Sequence, residues 1–518
     1  GGLIVAVQVL VKYMDAAEAG DPKAIDLIRV CTHLLADACI NCKENSHHVF
    51  RLHIVRIIHD LLIRFRSNPH ITKATCCLAI NLCHDDAPQQ KAMGAGILSD
   101  LGESLEMFLP QEGENEHFES PSDEVVCTWL LKFCGCVSYE DSCAIDMVFL
   151  SISTYAIRGI KIACMNGNND LFAVCSNLIS NLVITAHDNT MRSELKEQMV
   201  RQVWRDGVVE CILFVLRHAQ DPSQLMSICE VIQAFLDDDD SARRMILARD
   251  ELRTASDAAG LEMIGMLLDR LVEFQWDLEF CQLGVVTIAR FAELEQPMGR
   301  RRKNVVTPAD VLVRAGCVQV LIGELEDCAE NSSATNVAKE CLNALDNIAV
   351  VSQDARRGIV GMGGIRAVAS VIREHGKHVN DNENIEVVRC GLSLLMRVCI
   401  NQSLIPQLAK DSIGAVMDVA RNHAHNPQVL KPLFHLLTMM AFEVETLEII
   451  REQDAISFVI DTMCNMYTYP AIVMQAITVL ETIGTASPDH ARVVANEGGK
   501  TAIKGECCFF VAFLFLLS

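Results

Sequence analysis

The sequence predicts an all-α solenoid, a right-handed superhelix of about ten three-helix repeats. A small residue followed by an apolar one recurs along the chain and each time opens an apolar helix. Its anchors Gly316, Gly364, Ser412, Ala455 and Gly499 are 48, 48, 43 and 44 residues apart. Helical repeat arrays have periods of about 40 to 47 residues. Because each repeat contacts only its neighbours, such an array presents one long surface, and binding is its expected function.

The repeat between Gly316 and Gly364 shows how one unit is built. An apolar stretch runs from the turn to Leu325, a polar break follows, and a longer segment extends from Asn336 to Val351. Apolar residues in that segment recur at steps of three and four, which indicates an amphipathic helix. Glycine at the turn allows a positive φ or a close crossing of two helices. The predicted unit is helix, tight turn, helix, polar loop and long third helix.

The same pattern places a long third helix in each repeat. The predicted ranges are 23–40, 71–84, 122–138, 170–187, 224–237, 276–293, 333–351, 385–401, 426–443 and 469–485. The earlier anchors Gly207, Gly260 and Gly316 are 53 and 56 residues apart. The surplus residues are assigned to loops, where an insertion costs little closure entropy. The predicted insertions are 111–124, 250–259 and 295–307.

The third helices resemble those of the armadillo repeat, which commonly end in a pattern like Trp-Ala-Leu-Ser-Asn-Ile-Ala. Residues 343–349 read Asn-Ala-Leu-Asp-Asn-Ile-Ala, and they depart from the pattern at the aromatic residue and at the serine, where Asp346 stands. Residues 177–183 and 77–83 match more loosely. The chain is therefore similar to armadillo-repeat proteins, and we expect one continuous array over 1–505.

The resemblance implies that the third helices line a concave groove, where a ladder of Asn side chains commonly binds the main chain of an extended peptide. The ladder position is occupied by Asp37, Asn81, Phe133, Asn181, Arg290, Asn347, Arg397, Met439 and Thr482. At the paired aromatic position, only Trp129 is a tryptophan. We expect the ladder Asn and Arg side chains to face solvent, because a buried amide needs a partner. The candidate partner-binding residues are Asp37, Asn81, Trp129, Asn181, Asn347 and Arg397.

Because other residue types interrupt the Asn ladder, the sequence favours one class of function, a non-catalytic protein–protein interaction scaffold or adaptor. A nuclear-import-type adaptor resembling importin-α, which would present repeated Trp and Asn to basic peptides, is the first alternative. The second is the regulatory repeat region of a larger enzyme whose catalytic domain lies outside this sequence. The sequence contains no G-x-x-x-x-G-K-[ST], G-x-S-x-G or H-E-x-x-H motif, so we expect neither enzyme activity nor a cofactor.

The net charge gives the only indication of the chemistry of a partner. The formal charge is −23, with an acidic run at 237–240 and an acidic loop at 112–124. Nucleic-acid binding, which needs a basic face, is not expected. A basic protein or extended peptide is a compatible partner, and solvated acidic loops are the alternative explanation. The basic run at 300–303 is interpreted as an exposed loop, with a nuclear localisation signal as the alternative.

Cysteine usage bears on compartment and on metal binding. Most of the 23 cysteines fall inside apolar helices, where a thiol acts as a small hydrophobe. We therefore expect reduced thiols and a cytoplasmic location, with the nucleus as the alternative.

Cys39 and Cys42, followed by His47, His48 and His53, form one candidate zinc cluster. Its spacing is shorter than that of a zinc finger, so a buried cysteine beside a histidine-containing loop is favoured and no metal is expected.

The two ends of the sequence are atypical for a repeat. The chain begins with Gly1-Gly2-Leu3 and no Met, so we expect a start within a repeat of a longer protein that belongs to a larger assembly. Residues 506–518 form an apolar tail, whose run at 507–517 is shorter than the roughly 18 to 20 residues of a membrane span. Three explanations of this tail stay open: a final helix, an artefact of gene or transcript assembly, and a membrane anchor. No membrane partner is expected.

Overall fold

The computed structural model describes residues 1–83, 86–111, 117–186, 193–237, 256–293, 308–331, 333–486 and 488–496. These residues are largely helical and contain no strand. Their packing divides the chain into two units, Gly1–Met245 and Ile246–Ser518. The predicted all-α solenoid is confirmed, because successive short helices and one long helix repeat along each unit.

Unit 1 stacks its long helices in chain order. Its described helices are α1 (Gly2–Glu18), α2 (Pro22–Cys39), α3 (Lys43–Phe50), α4 (Ile54–Arg64), α5 (Pro69–Cys83), α6 (Ala87–Gly94), α7 (Leu98–Phe108), α8 (Pro121–Val137), α9 (Asp141–Phe149), α10 (Ile152–Asn166), α11 (Asn169–Ala186), α12 (Ser193–Arg205), α13 (Val208–His218) and α14 (Pro222–Leu236). The long helices α2, α5, α8, α11 and α14 each pack against the next. They occupy the predicted third-helix ranges.

Unit 2 follows the same plan. Its described helices are α15 (Ser256–Glu273), α16 (Leu278–Glu293), α17 (Pro308–Arg314), α18 (Cys317–Glu330), α19 (Thr335–Val351), α20 (Gln353–Gly361), α21 (Gly364–His375), α22 (Asn382–Cys399), α23 (Ile405–Asn422), α24 (Pro427–Ala441), α25 (Val444–Glu452), α26 (Ala455–Asn465), α27 (Pro470–Ala486) and α28 (Pro488–Asn496), with a short 3₁₀ turn at Gln402–Leu404. The long helices α16, α19, α22, α24 and α27 again pack in sequence.

Several long helices begin at a proline that follows a capping residue. Asp21, Ser120, Asp221 and Asn426 each accept a hydrogen bond from a backbone N–H in the first turn, and proline comes next in all four cases. A polar cap satisfies a free N–H, and proline at the first helical position lacks the N–H that would need a partner. This local chemistry fixes where the long helices start.

Glycine has two separate roles at the turns between short helices. Gly207, Gly316 and Gly363 adopt positive φ values of 94°, 86° and 82°, which favour a residue without Cβ. Gly364 instead allows close packing, because a Cβ there would lie 2.8 Å from Cδ1 of Ile322. The predicted turns at Gly207, Gly316 and Gly364 are confirmed, and Gly499 lies outside the described residues.

Two other predicted turns are wrong. Ser412 is buried in the middle of α23, where its hydroxyl donates to the carbonyl of Leu408 at 2.8 Å. One continuous helix therefore replaces the first two helices of that repeat. Gly260 likewise lies within α15. A glycine in a helix costs only about 1 kcal/mol relative to alanine, and a serine can satisfy its hydroxyl on the preceding turn, so neither residue has to end a helix.

The first predicted insertion, 111–124, is too long at its end, because residues 121–124 belong to α8; residues 112–116 lie outside the described residues. The guanidinium of Arg158, which is 9% exposed, donates to the carbonyls of Leu109 and Pro110 at 3.1 and 2.7 Å and to the carboxylate of Glu106 at 2.9 Å. These bonds tie the start of the loop to α10. The insertion at 295–307, residues 250–255 of that at 250–259 and the tail at 506–518 lie outside the described residues, whereas 256–259 begin α15 and are not a loop.

In the described part of the chain, no single helix has both the length and the apolar character needed to span a membrane. One pair, α9 and α10, has both only when joined across a bend of 78°.

Glu324 on α18 predicts a pH dependence of stability. It is 6% exposed, and burial, with a smaller contribution from Asp327, raises the pKa of its carboxyl to about 7. The folded chain therefore holds this proton more tightly than the unfolded chain. The contribution of Glu324 to the free energy of unfolding should fall by an amount on the order of 3 kcal/mol between about pH 4.5 and 7 and change no further above pH 7.

The test is denaturant unfolding of the wild type, Glu324→Gln and the exposed control Glu326→Gln at pH 5 and pH 8. Glu324→Gln should match the wild type at pH 5 and exceed its stability at pH 8. The Glu326→Gln control should have the stability of the wild type at both pH values. A Glu324→Gln variant that keeps the full pH dependence would contradict the assignment.

Candidate functional site

Four consecutive long helices of unit 1, α2, α5, α8 and α11, line a groove of about 580 Å³. The predicted site residues Asp37, Asn81, Trp129 and Asn181 all lie on its surface, one on each helix. Residues that are 44, 48 and 52 positions apart in the sequence are thus brought onto one surface. Their participation in binding stays a prediction.

Two of the ladder amides bridge neighbouring repeats. Nδ2 of Asn81 on α5 donates to the carbonyl of Ala36 on α2 at 3.1 Å. Nδ2 of Asn181 donates to the hydroxyl of Ser138, just beyond α8, at 3.2 Å. Both asparagines are half-buried. Each side chain therefore joins two repeats while it lines the groove, and its Oδ1 is an acceptor that could bond a peptide N–H.

Two lysines lie near the ring of Trp129. The Nζ of Lys132 is 4.8 Å from the centre of its ring, and the Nζ of Lys73 is 5.5 Å from it. Cations in this position are attracted by the negative face of an indole. Lys132 also forms an ion pair of 2.8 Å with Asp170. This part of the groove combines an aromatic surface with Lys73 and the Lys132–Asp170 ion pair. Asp37, on α2, is exposed and acidic.

The ladder register is wrong in α8. Phe133 was assigned to the groove, but it is fully buried behind it. The groove face of this region instead carries Trp129, Lys132, Cys136 and Tyr139. These residues are three, four and three positions apart, which is the spacing of one helical face. Sequence analysis missed the last three, because steps of three and four from Trp129 also lead to Phe133.

In unit 2, the candidates Asn347 and Arg397 lie on neighbouring long helices, α19 and α22. Arg397 is exposed and Asn347 is half-buried. Asp346, which stands where the armadillo pattern has serine, accepts hydrogen bonds from Nε of Arg397 at 3.2 Å and from the hydroxyl of Ser393 at 3.0 Å. Burial raises the pKa of Asp346, and Arg397 and Ser393 oppose that shift. Arg397 therefore links two repeats through an acidic residue.

The candidate zinc cluster does not converge on one point. Cys39 is buried within α2, and Nδ1 of His47 bonds the side-chain amide of Gln89 at 3.0 Å. Within the described ranges, no three His, Cys, Asp or Glu side chains are grouped so that they could hold a metal ion. The predicted burial of Cys39 is confirmed, whereas the predicted histidine loop is wrong for His47 and His48, which lie in α3.

The fold is similar to that of solved helical-repeat structures. A chain from the structure entitled "A conserved phosphorylation switch controls the interaction between cadherin and beta-catenin in vitro and in vivo" aligns with a TM-score of 0.57 and 12% identity, over 93% of this chain and 83% of that one. Two engineered proteins align at 14% and 13% identity over 58% of this chain and 96% and 98% of theirs, each with a TM-score of 0.39. No protein-family model and no curated protein sequence matches. The similarity to the first of these structures supports the fold and nothing more.

Proposed function

We propose that this chain is a non-catalytic, armadillo-type scaffold or adaptor whose unit 1 groove binds an extended segment of a protein partner. The observation that carries the proposal is the convergence of Asp37, Asn81, Trp129 and Asn181 on one groove across four repeats. An aromatic anchor surrounded by amides and charges is typical of a surface that recognises a peptide. The structural neighbour from the cadherin and β-catenin work supports the same class of function by analogy of fold.

The dimensions of the groove suit a short extended peptide. Packed helices lie about 8 to 10 Å apart, so four of them span about 24 to 30 Å. An extended chain advances about 3.3 Å per residue, which corresponds to roughly eight residues. The acceptors on Asn81 and Asn181 would bond backbone N–H groups of the peptide, and Trp129 would pack against a side chain.

The charges in the groove refine the expected partner. Asp37 on α2 favours a basic side chain, and Lys73 near Trp129 favours an acidic one, whereas Lys132 is already paired with Asp170. We therefore propose a peptide of mixed charge, rather than a uniformly basic one. An adaptor of the nuclear-import type is less well supported, because Trp129 is the one tryptophan among the groove-lining residues. A cytoplasmic location fits the many thiols and remains part of the proposal.

Photo-crosslinking of the full chain in cell extract tests this proposal. p-Benzoylphenylalanine is placed either at Tyr139, which lines the groove and is 68% exposed, or at Phe149, which is 53% exposed and outside the groove. We expect the Tyr139 variant to capture one defined peptide segment and the Phe149 variant to capture none of it. Capture of the same segment from Phe149 alone would place the binding surface elsewhere.

A further inference from the structure

Two thiols on neighbouring long helices lie in contact beside the groove. Cys83 is the last residue of α5, and Cys136 is in the last turn of α8. Their Sγ atoms are 3.7 Å apart. Cys83 is fully buried, whereas Cys136 is half-buried and lines the groove. Solutes that enter the groove therefore reach Cys136 and not Cys83.

The hydrogen bonds give the two thiols different roles. Cys83 donates its S–H to the carbonyl of Ala79 at 2.9 Å, and its sulfur also lies at hydrogen-bond distance from that of Cys136, where either thiol can be the donor. The hydrogen bond with Cys136, together with burial, raises the pKa of the Cys83 thiol. A buried, protonated thiol is unreactive toward a dissolved oxidant. It can still attack an oxidised sulfur held next to it.

We propose that Cys136 and Cys83 form an oxidisable pair that a hydroperoxide converts into a disulfide between the second and third repeats. The Cys136 thiol is oxidised first, and with hydrogen peroxide it yields a sulfenic acid and one water. The Cys83 sulfur then attacks the Cys136 sulfur, the S–S bond forms, and the hydroxyl leaves with the Cys83 proton as a second water. Two thiols lose two electrons in total, and the peroxide gains them.

The positions of both residues allow the required movement. A disulfide has an S–S distance of about 2.05 Å, so the sulfurs must approach by about 1.6 Å. Both residues are in final helical turns, where the last carbonyls lack partners within the helix and the backbone is least constrained. The product would join α5 to α8 along the groove that Cys136 lines. This inference does not depend on the proposed peptide binding.

The test treats the reduced full chain with hydrogen peroxide, blocks remaining thiols with N-ethylmaleimide and maps peptides by mass spectrometry without reduction. We expect a crosslinked peptide that contains Cys83 and Cys136 and that disappears on adding dithiothreitol. In Cys83→Ser, and in Cys83→Ala as a second variant, the sulfenic acid on Cys136 should accumulate and be trapped by dimedone, at about tenfold the wild-type amount.

The control is Cys77→Ser, which removes another groove-lining thiol of α5 and should leave the crosslink unchanged. Two results would overturn the proposal. One is a dimedone adduct on Cys136 that accumulates equally with and without Cys83. The other is oxidation of Cys136 no faster than that of the fully buried Cys134.

Discussion

Replacing Trp129 by alanine is expected to weaken binding of the groove peptide by about 30-fold or more. Tryptophan anchors at the centre of an interface typically contribute about 2 to 4 kcal/mol, and 1.4 kcal/mol is a factor of ten in affinity. The change also removes the ring that Lys73 and Lys132 approach. The measurement is a fluorescence anisotropy titration with the labelled segment that is crosslinked through Tyr139.

The matched control is Trp276→Ala in unit 2, where the tryptophan is 69% exposed and lies outside the groove. The dissociation constant of the Trp276→Ala variant for the labelled peptide should stay within about twofold of the wild-type value. Thermal melts of both variants establish that they are folded. If the two variants lost the same amount of peptide affinity, or if a folded Trp129→Ala variant lost none, the peptide would not use Trp129 as an anchor.

A glycine-to-alanine change should have opposite effects on stability at two helical positions of unit 2. At Gly391 in α22, a Cβ would lie 2.2 Å from Cγ2 of Ile372, which is a buried side chain. Overpacking of this kind costs about 1 to 3 kcal/mol. At Gly323 in α18, a Cβ would meet no atom within 4 Å, so the higher helix propensity of alanine should stabilise by about 0.5 to 1 kcal/mol.

Denaturant unfolding and hydrogen exchange of the two alanine variants measure this difference. Gly391→Ala should lower the midpoint and increase exchange in α21 and α22, because loss of stability in a repeat array concentrates near the altered repeat. Gly323→Ala should raise the midpoint. A stabilised Gly391→Ala would mean that α21 and α22 do not approach as closely as described.

The long helices could be predicted from the sequence because their signals are local. Each predicted third-helix range agrees with a helix to within three residues at both ends. Apolar residues at steps of three and four define the buried face, and polar caps followed by proline fix the starts. The short helices were less predictable. Ser412 was expected at a turn because of its spacing from Gly364, although its segment has no residue that must adopt a positive φ.

The site was predicted in part. Asp37, Asn81, Trp129 and Asn181 were identified by their positions in the repeat pattern, and the structure places them on one groove. Phe133 was misassigned because the pattern carries no information on the rotation of α8 about its axis. That rotation depends on packing against α5 and α11, which involves residues far away in the sequence.

The bonds that Asn81 and Asn181 make to neighbouring repeats limit how this groove could be re-engineered. A designer who varies these positions to choose a new ligand also removes a contact that couples one repeat to the next. Affinity and cooperativity would then change together, and a library at these two sites would mix both effects. Selection for new specificity is better directed at Tyr139, which lines the same groove and is 68% exposed.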